Sequence, residues 1–132
     1  MITIEKKYHF YAAHRNKQAG EKCGRIHGHT YDVVCHFKFE EPVNGVTMLF
    51  SEIDKAVEPI IKCYDHYLIL YIKDPLVQLL QDAGEVFSVI QVESSAENLA
   101  KLLFDDIERI AGLPIFKIEL AETKSSNVIY ER

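Results

Sequence analysis

The chain has 132 residues, 48% of them hydrophobic and 27% charged, the make-up of one ordinary soluble globular domain with a single core over residues 1–132. A formal net charge of -5, with Lys and Arg unclustered, argues against nucleic acid as a partner, although a pocket built around a divalent cation can still receive an anionic small molecule. The N-terminal segment lacks the apolar stretch of a signal peptide and nothing approaches the ~20 apolar residues of a membrane helix, so a cytoplasmic protein is expected.

Residues 2–14 and 29–40 alternate between apolar and polar positions as two long strands. The breaker Glu41-Pro42-Val43-Asn44-Gly45 follows, and residues 46–50 read as a short strand. Ser51 with Asp54 opens a helix whose buried stripe is Ile53, Ala56, Val57, Ile60, Ile61 and Tyr64, at a cost from Pro59 inside it. Asp74-Pro75 starts a second, short helix reaching about Leu80, and residues 86–92 read as a strand. Ser94-x-x-Glu97 has the form of a capping box for a longer helix to Ala111, stopped by Gly112 and Pro114. Two closing strands, 115–123 and 127–131, flank Lys124-Ser125-Ser126. Antiparallel hairpins at both ends with helices between them give an α+β class.

The most chemical segment is Cys23-Gly-Arg-Ile-His27-Gly-His29, with His14 upstream. Histidines two apart on a strand share a face, so His27 and His29 can chelate one ion. His14 ends the alternating set Ile4, Lys6, Tyr8, Phe10, Ala12, and joins them if the two strands pair antiparallel. Three neutral nitrogens leave a fourth tetrahedral position open, the pattern of a catalytic zinc site, whereas structural sites are closed by four ligands rich in cysteine. His9 and His36 have the opposite parity and read as non-ligands. A cupin would carry a glutamate soon after the second histidine, where Val33 and Val34 stand.

Three cysteines, Cys23, Cys35 and Cys63, give an odd count without a CxxC pair, which suggests neither a disulfide framework nor a cysteine zinc site. Only Cys23 falls in a loop. Because a nearby cation raises the small thiolate fraction of an ordinary thiol, Cys23 is a candidate general base. Asp65-His66 follows the first helix at a junction where side chains can enter a cleft. Glu122 closes the set Phe116, Ile118, Leu120, and either enters a pocket or marks where the strand leaves the core; parity alone favours the second. Ser94, Ser95 and Glu97 read as helix-cap residues.

Taken together, Phe10-Tyr-Ala-Ala-His14, Cys23-x-x-x-His27-Gly-His29-x-Tyr31, Asp65-His66, Ser95-Ala-Glu97-Asn98-Leu99-Ala100 and Glu122-Thr123 resemble the signature set of the 6-pyruvoyltetrahydropterin synthase family. The short spacing between the cysteine and His27 is similar to that of its bacterial 6-carboxytetrahydropterin (queuosine-pathway) branch, and a cysteine at position 23 is unlike the aldol-cleaving branch. The resemblance implies a tunnelling fold, in which trimers close a β-barrel and two trimers stack into a hexamer with active sites between subunits. It implies that His14, His27 and His29 hold zinc against the side-chain hydroxyls of 7,8-dihydroneopterin triphosphate. Cys23 would then work on the substrate's side-chain protons with Asp65 and His66 as a relay, while Glu122, joined by Ser95, would bind the pterin.

The expected activity is that of a zinc lyase releasing 6-carboxy-5,6,7,8-tetrahydropterin, acetaldehyde and triphosphate. The alternatives are a pyruvoyl-forming synthase, a non-catalytic pterin binder and a zinc hydrolase using metal-bound water. Two departures from the family pattern stand out: Ile69-Leu70-Tyr71 is apolar, and the stretch 73–91 is long. For the triphosphate, Lys124, Arg25 and Arg15 are candidates by charge alone, with a solvated surface role the plainer expectation for each.

Overall fold

A computed structural model describes residues Met1–Arg132. Its elements are β1 (Ile2–His14), β2 (His27–Phe39), α1 (Phe50–Lys62), β3 (Tyr67–Tyr71), α2 (Leu76–Asp82), β4 (Ser88–Ile90), α3 (Ala96–Asp106), β5 (Ile115–Thr123) and β6 (Ser126–Glu131). One mixed sheet runs in the order β4-β3-β1-β2-β5-β6. β1, β2, β5 and β6 pair antiparallel, while β3 lies parallel to the end of β1 and β4 parallel to β3. The class is α+β, as expected, and no helix is long and apolar enough to cross a membrane.

Strand alternation builds the core. Phe10 and Ala12 of β1, Tyr31, Val33, Cys35 and Phe37 of β2, and Ile118 and Leu120 of β5 all face inward and are buried. Against them pack Ile53, Val57, Ile60 and Ile61 of α1 and Leu99, Leu103 and Phe104 of α3. The rings of Phe10 and Tyr31 stack at 4.8 Å between centroids. Asp54 docks α1 on β1 by accepting from Lys6 Nζ and the Tyr8 hydroxyl, each at 2.9 Å.

Four expectations change. Residues 46–50 form no strand: the segment packs beside Ile2 and Ile4 of β1 without pairing, and Phe50 instead opens α1. The apolar run Tyr67–Tyr71 is a strand, buried in parallel pairing on both sides and therefore uninterrupted by polar residues. The strand expected over 86–92 shortens to Ser88–Ile90. The helix from Ala96 ends its α-helical part at Asp106 and continues as a π-helical turn, Ile107–Ala111, before Gly112 takes the left-handed conformation that closes it.

Arg15 is not a solvated cation. Its side chain, 13% exposed, makes a two-pronged bond to Asp74, itself 9% exposed, through Nε at 2.8 Å and Nη2. Asp74 also accepts from the Leu76 N–H at 2.9 Å, which fixes the start of α2. The Arg15 hydrogen bond holds the Asp74 carboxyl below its ordinary value of 3.8. A carboxyl depressed in the folded state adds stability that is complete above the ordinary value and disappears as pH falls through the folded one. Asp74→Asn should therefore cost about 3 kcal/mol in urea unfolding at pH 7, by leaving a buried guanidinium without its countercharge. The gap from wild type should close on acidification below that ordinary value; a gap constant down to the acid limb would show that Asp74 is not acting through its charge.

Candidate metal centre

The β1–β2 register sets His14 opposite His27, Ala12 opposite His29 and Phe10 opposite Tyr31. Three imidazoles therefore gather at one end of the hairpin, on the inward face, with one ligand atom from each within 4.8 Å of the others. Ring centroids lie 4.6 to 5.2 Å apart. Lys17–Ala19, a 3-10 turn capped by Asn16, returns the chain between the strands, and the loop is closed by the Asn16 N–H donating to the Cys23 carbonyl at 2.7 Å. Gly24 is closely approached there: a Cβ would come to 3.1 Å from the Gly20 carbonyl oxygen, tighter than ordinary contact.

Backbone carbonyls orient two of the rings. His14 Nδ1 lies 2.6 Å from the Ser94 carbonyl oxygen and His27 Nδ1 lies 2.7 Å from that of Arg25. A carbonyl only accepts, so both Nδ1 atoms carry the proton and both Nε2 lone pairs are free, the arrangement that metal-bound histidines use. Nε2 of His14 and of His29 are buried without a hydrogen-bond partner. Leaving a buried polar atom unsatisfied costs about 1–3 kcal/mol, which a bound cation would relieve. Burial, reinforced by the neighbouring imidazoles, holds His14 and His29 below the ordinary imidazole range against an opposing pull from Glu122, so both are neutral and ready to bind metal at neutral pH. Three neutral imidazoles suit zinc, copper, iron or nickel.

His14 and His27 open into a cleft of about 260 Å³ lined also by Cys23, Ser95, Glu97 and Glu122, and His29 lines the neighbouring depression. Glu122 points into this cleft instead of leaving the core. It is the extra residue of a β-bulge, between the pairs Ala121 with Asn127 and Thr123 with Ser126, the kind of irregularity that re-aims a side chain beside a site. Its Oε1 is 3.7 Å from His14 Nε2 and its Oε2 3.9 Å from His29 Nε2. Ser95, not Ser94, caps α3, accepting from the Asn98 N–H at 3.3 Å. Ser94 is fully buried, its hydroxyl donating to the Arg15 carbonyl at 3.2 Å while its own carbonyl holds His14. That orienting role left no trace in the sequence, because a backbone carbonyl is common to every residue type.

Asp65 and His66 are brought together, with His66 Nδ1 2.8 Å from Asp65 Oδ2, but within one chain they do not meet Cys23. His66 borders a different depression, shared with Tyr11, Ala13, Gly28, His29 and Thr30, while Asp65 lines another with Lys7, His9 and Glu58. Both ends of the pair are pinned to Tyr11: its N–H donates to Asp65 Oδ1 at 2.8 Å, and its carbonyl accepts the His66 N–H at 2.6 Å. The Tyr11 N–H, with help from His66, holds the Asp65 carboxyl below its usual range. His66 has φ of +63°, a left-handed conformation uncommon outside glycine, and such positions concentrate at functional sites. His9 is exposed and His36 is paired with Glu119 at 2.8 Å, both on the outward face and away from the cluster.

The comparisons agree with this geometry. A curated relative from Synechocystis sp., named 6-carboxy-5,6,7,8-tetrahydropterin synthase, is 30% identical over 98% of this chain and 93% of its own. A relative of the same name from Haemophilus influenzae is 24% identical over 99% of both chains. Among solved structures, the 6-pyruvoyl tetrahydropterin synthase of Caenorhabditis elegans superposes with a TM-score of 0.75 at 21% identity, covering 99% of this chain and 95% of that one. That of Plasmodium vivax gives 0.73 at 16% identity, covering 100% and 99%. These likenesses establish the tunnelling fold of the monomer. Residues 3–132 match the sequence profile described as 6-pyruvoyl tetrahydropterin synthase, and with its three converging imidazoles, its cysteine loop and its inward-aimed glutamate on that fold, the chain belongs to this family.

Proposed function

We propose that this protein is a zinc-dependent lyase that converts 7,8-dihydroneopterin triphosphate to 6-carboxy-5,6,7,8-tetrahydropterin, acetaldehyde and triphosphate. The observation that carries the reading is the pair of buried, partnerless Nε2 atoms of His14 and His29, completed by His27, with His14 and His27 lining the same cleft as Cys23 and Glu122. The names of the Synechocystis and Haemophilus relatives support the carboxy product, as does the short spacing from Cys23 to His27.

His14, His27 and His29 hold the ion. When bound, it supplies Lewis acidity that makes the protons on the hydroxyl-bearing carbons of the substrate's side chain removable. Cys23, in the loop over the cleft, takes a side-chain proton as its thiolate. Glu122 receives the pterin's guanidine-like edge through paired, charge-assisted hydrogen bonds, which seats the side chain over the histidines. Ser95 stands at the same wall of the cleft and faces the substrate. Asp65 fixes the His66 ring through Nδ1, leaving Nε2 to exchange a proton.

Because Asp65 and His66 lie outside the cleft that holds Cys23 in their own chain, the Cys23 they serve belongs to a neighbouring subunit of a hexamer. Two unpaired strand edges support such an assembly: β6 has a partner on one side only, and β1 meets β3 only at Ala12–His14, leaving the rest of its outer edge free. Purified protein should contain one zinc per chain and release acetaldehyde from dihydroneopterin triphosphate in step with the carboxypterin. A pyruvoyl product without acetaldehyde would move the assignment to the pyruvoyl-forming branch, and binding without turnover would reduce it to a pterin-binding protein.

A further inference from the structure

We infer that Glu122 is an exchangeable fourth ligand, closing the metal when no substrate is present and leaving it when the pterin draws the carboxylate away. The second half rests on the function proposed above; the first stands on geometry alone. Donor atoms of a tetrahedral site held about 2.0–2.2 Å from the ion lie roughly 3.3–3.5 Å from one another. The two Glu122 oxygens, at 3.7 and 3.9 Å from His14 Nε2 and His29 Nε2, straddle two of the three ligands at nearly that spacing. Rotation of the side chain by a fraction of an ångström brings one of them into the set.

Those two imidazoles are also the only groups at ion-pair distance from the carboxylate. Its side chain makes no hydrogen bond that a swing would break and is 28% exposed. Glu122 follows Ile118 and Leu120 on the inward parity of β5, and the bulge there leaves it unpaired between Ala121 and Thr123. Glu97 borders the same cleft from the first turn of α3, yet makes no contact within 4.0 Å of an imidazole, so proximity of a carboxylate to the cleft does not by itself produce this arrangement.

A carboxylate on the ion lowers its net charge and occupies the position that water or substrate hydroxyls would take. Recognition of the pterin edge would then be what opens the metal, so a molecule without that edge meets a closed centre. If the open form is populated to about a tenth without pterin, a small anion binds about tenfold more weakly than to a permanently open site.

The test uses protein loaded with cobalt(II), whose visible spectrum reports coordination, titrated with azide. Glu122→Gln should bind azide about tenfold more tightly than wild type and show a changed spectrum before azide is added. Unsubstituted pterin should bring wild type to the affinity of the variant, and Glu97→Gln should behave as wild type. Superposable spectra and equal azide affinities in wild type and Glu122→Gln would overturn the inference while leaving the three-histidine centre standing. Failure of both proteins to retain cobalt would overturn the centre itself. A Gln variant that opens while pterin has no effect on wild type would overturn the exchange and, with it, the role given to Glu122 in binding pterin.

Discussion

Cys23→Ala should retain its zinc and its affinity for pterin while turnover falls by about 10²- to 10⁴-fold, the usual worth of a positioned acid or base. The thiol is exposed in the loop between β1 and β2 and makes no contact on which the fold depends, so its removal leaves the hairpin and the imidazoles undisturbed. The metal count and the turnover are read on the same sample. Unchanged turnover would take the thiol out of the mechanism, and loss of zinc with loss of activity would make it a ligand instead.

The same variant tests how the site is assembled. His66→Ala should be equally inactive, since the proton shuttle is gone while Asp65 keeps its bond to Tyr11. If Cys23 works with Asp65 and His66 of a neighbouring subunit, mixing the two inactive proteins under exchange conditions should restore part of the activity, because some interfaces then carry an intact set. Light scattering on the mixture fixes the number of chains per particle. No recovery in a hexamer that demonstrably exchanges subunits would mean that the relay does not cross between chains.

His14→Ala should strip the metal. Loss of an outer-shell partner typically costs 10- to 100-fold in metal affinity, and loss of a ligand itself should exceed about a hundredfold. The metal-free variant should be close to metal-free wild type in stability, because the change removes an unsatisfied Nε2 along with a good bond from Nδ1 to Ser94. The difference appears on adding zinc. At free metal a thousandfold above its Kd, wild type gains about 4 kcal/mol, seen as a higher melting temperature, and the variant gains little of it. Equal zinc-induced shifts in the two proteins would show that the cluster is not the metal centre.

The parts of this molecule that were legible in the sequence are those written in side-chain periodicity. The alternation of β1 and β2 placed His14, His27 and His29 on one face, and the helical stripes of α1 and α3 marked the surfaces that cover the sheet. What was missed depends on partners far away in the chain. Tyr67–Tyr71 is a strand only because β1 and β4 flank it; an apolar run of that length carries no period of its own. Residues 46–50 have strand-like composition but pair with no strand. Glu122 follows Ile118 and Leu120 on the inward parity, but that the sheet there opens into a cleft instead of ending depends on the α3 start and β1–β2 loop packed around it, which the strand's own residues do not announce. The separation of Asp65 and His66 from Cys23 follows from the same missed strand: β3 lines up parallel to the end of β1 and holds the pair beside Tyr11, outside the Cys23 cleft.

The carbonyl that orients His14 belongs to Ser94, which lies 80 positions away in the chain, immediately before the residue that caps α3. Closing so long a loop is an entropic toll met late in folding. The β1–β2 hairpin alone brings the three imidazoles together, and only the carbonyl that fixes the tautomer of His14 waits for α3 to come to rest on the sheet. The centre is thus assembled by a local hairpin and tuned by a distant one-atom contact.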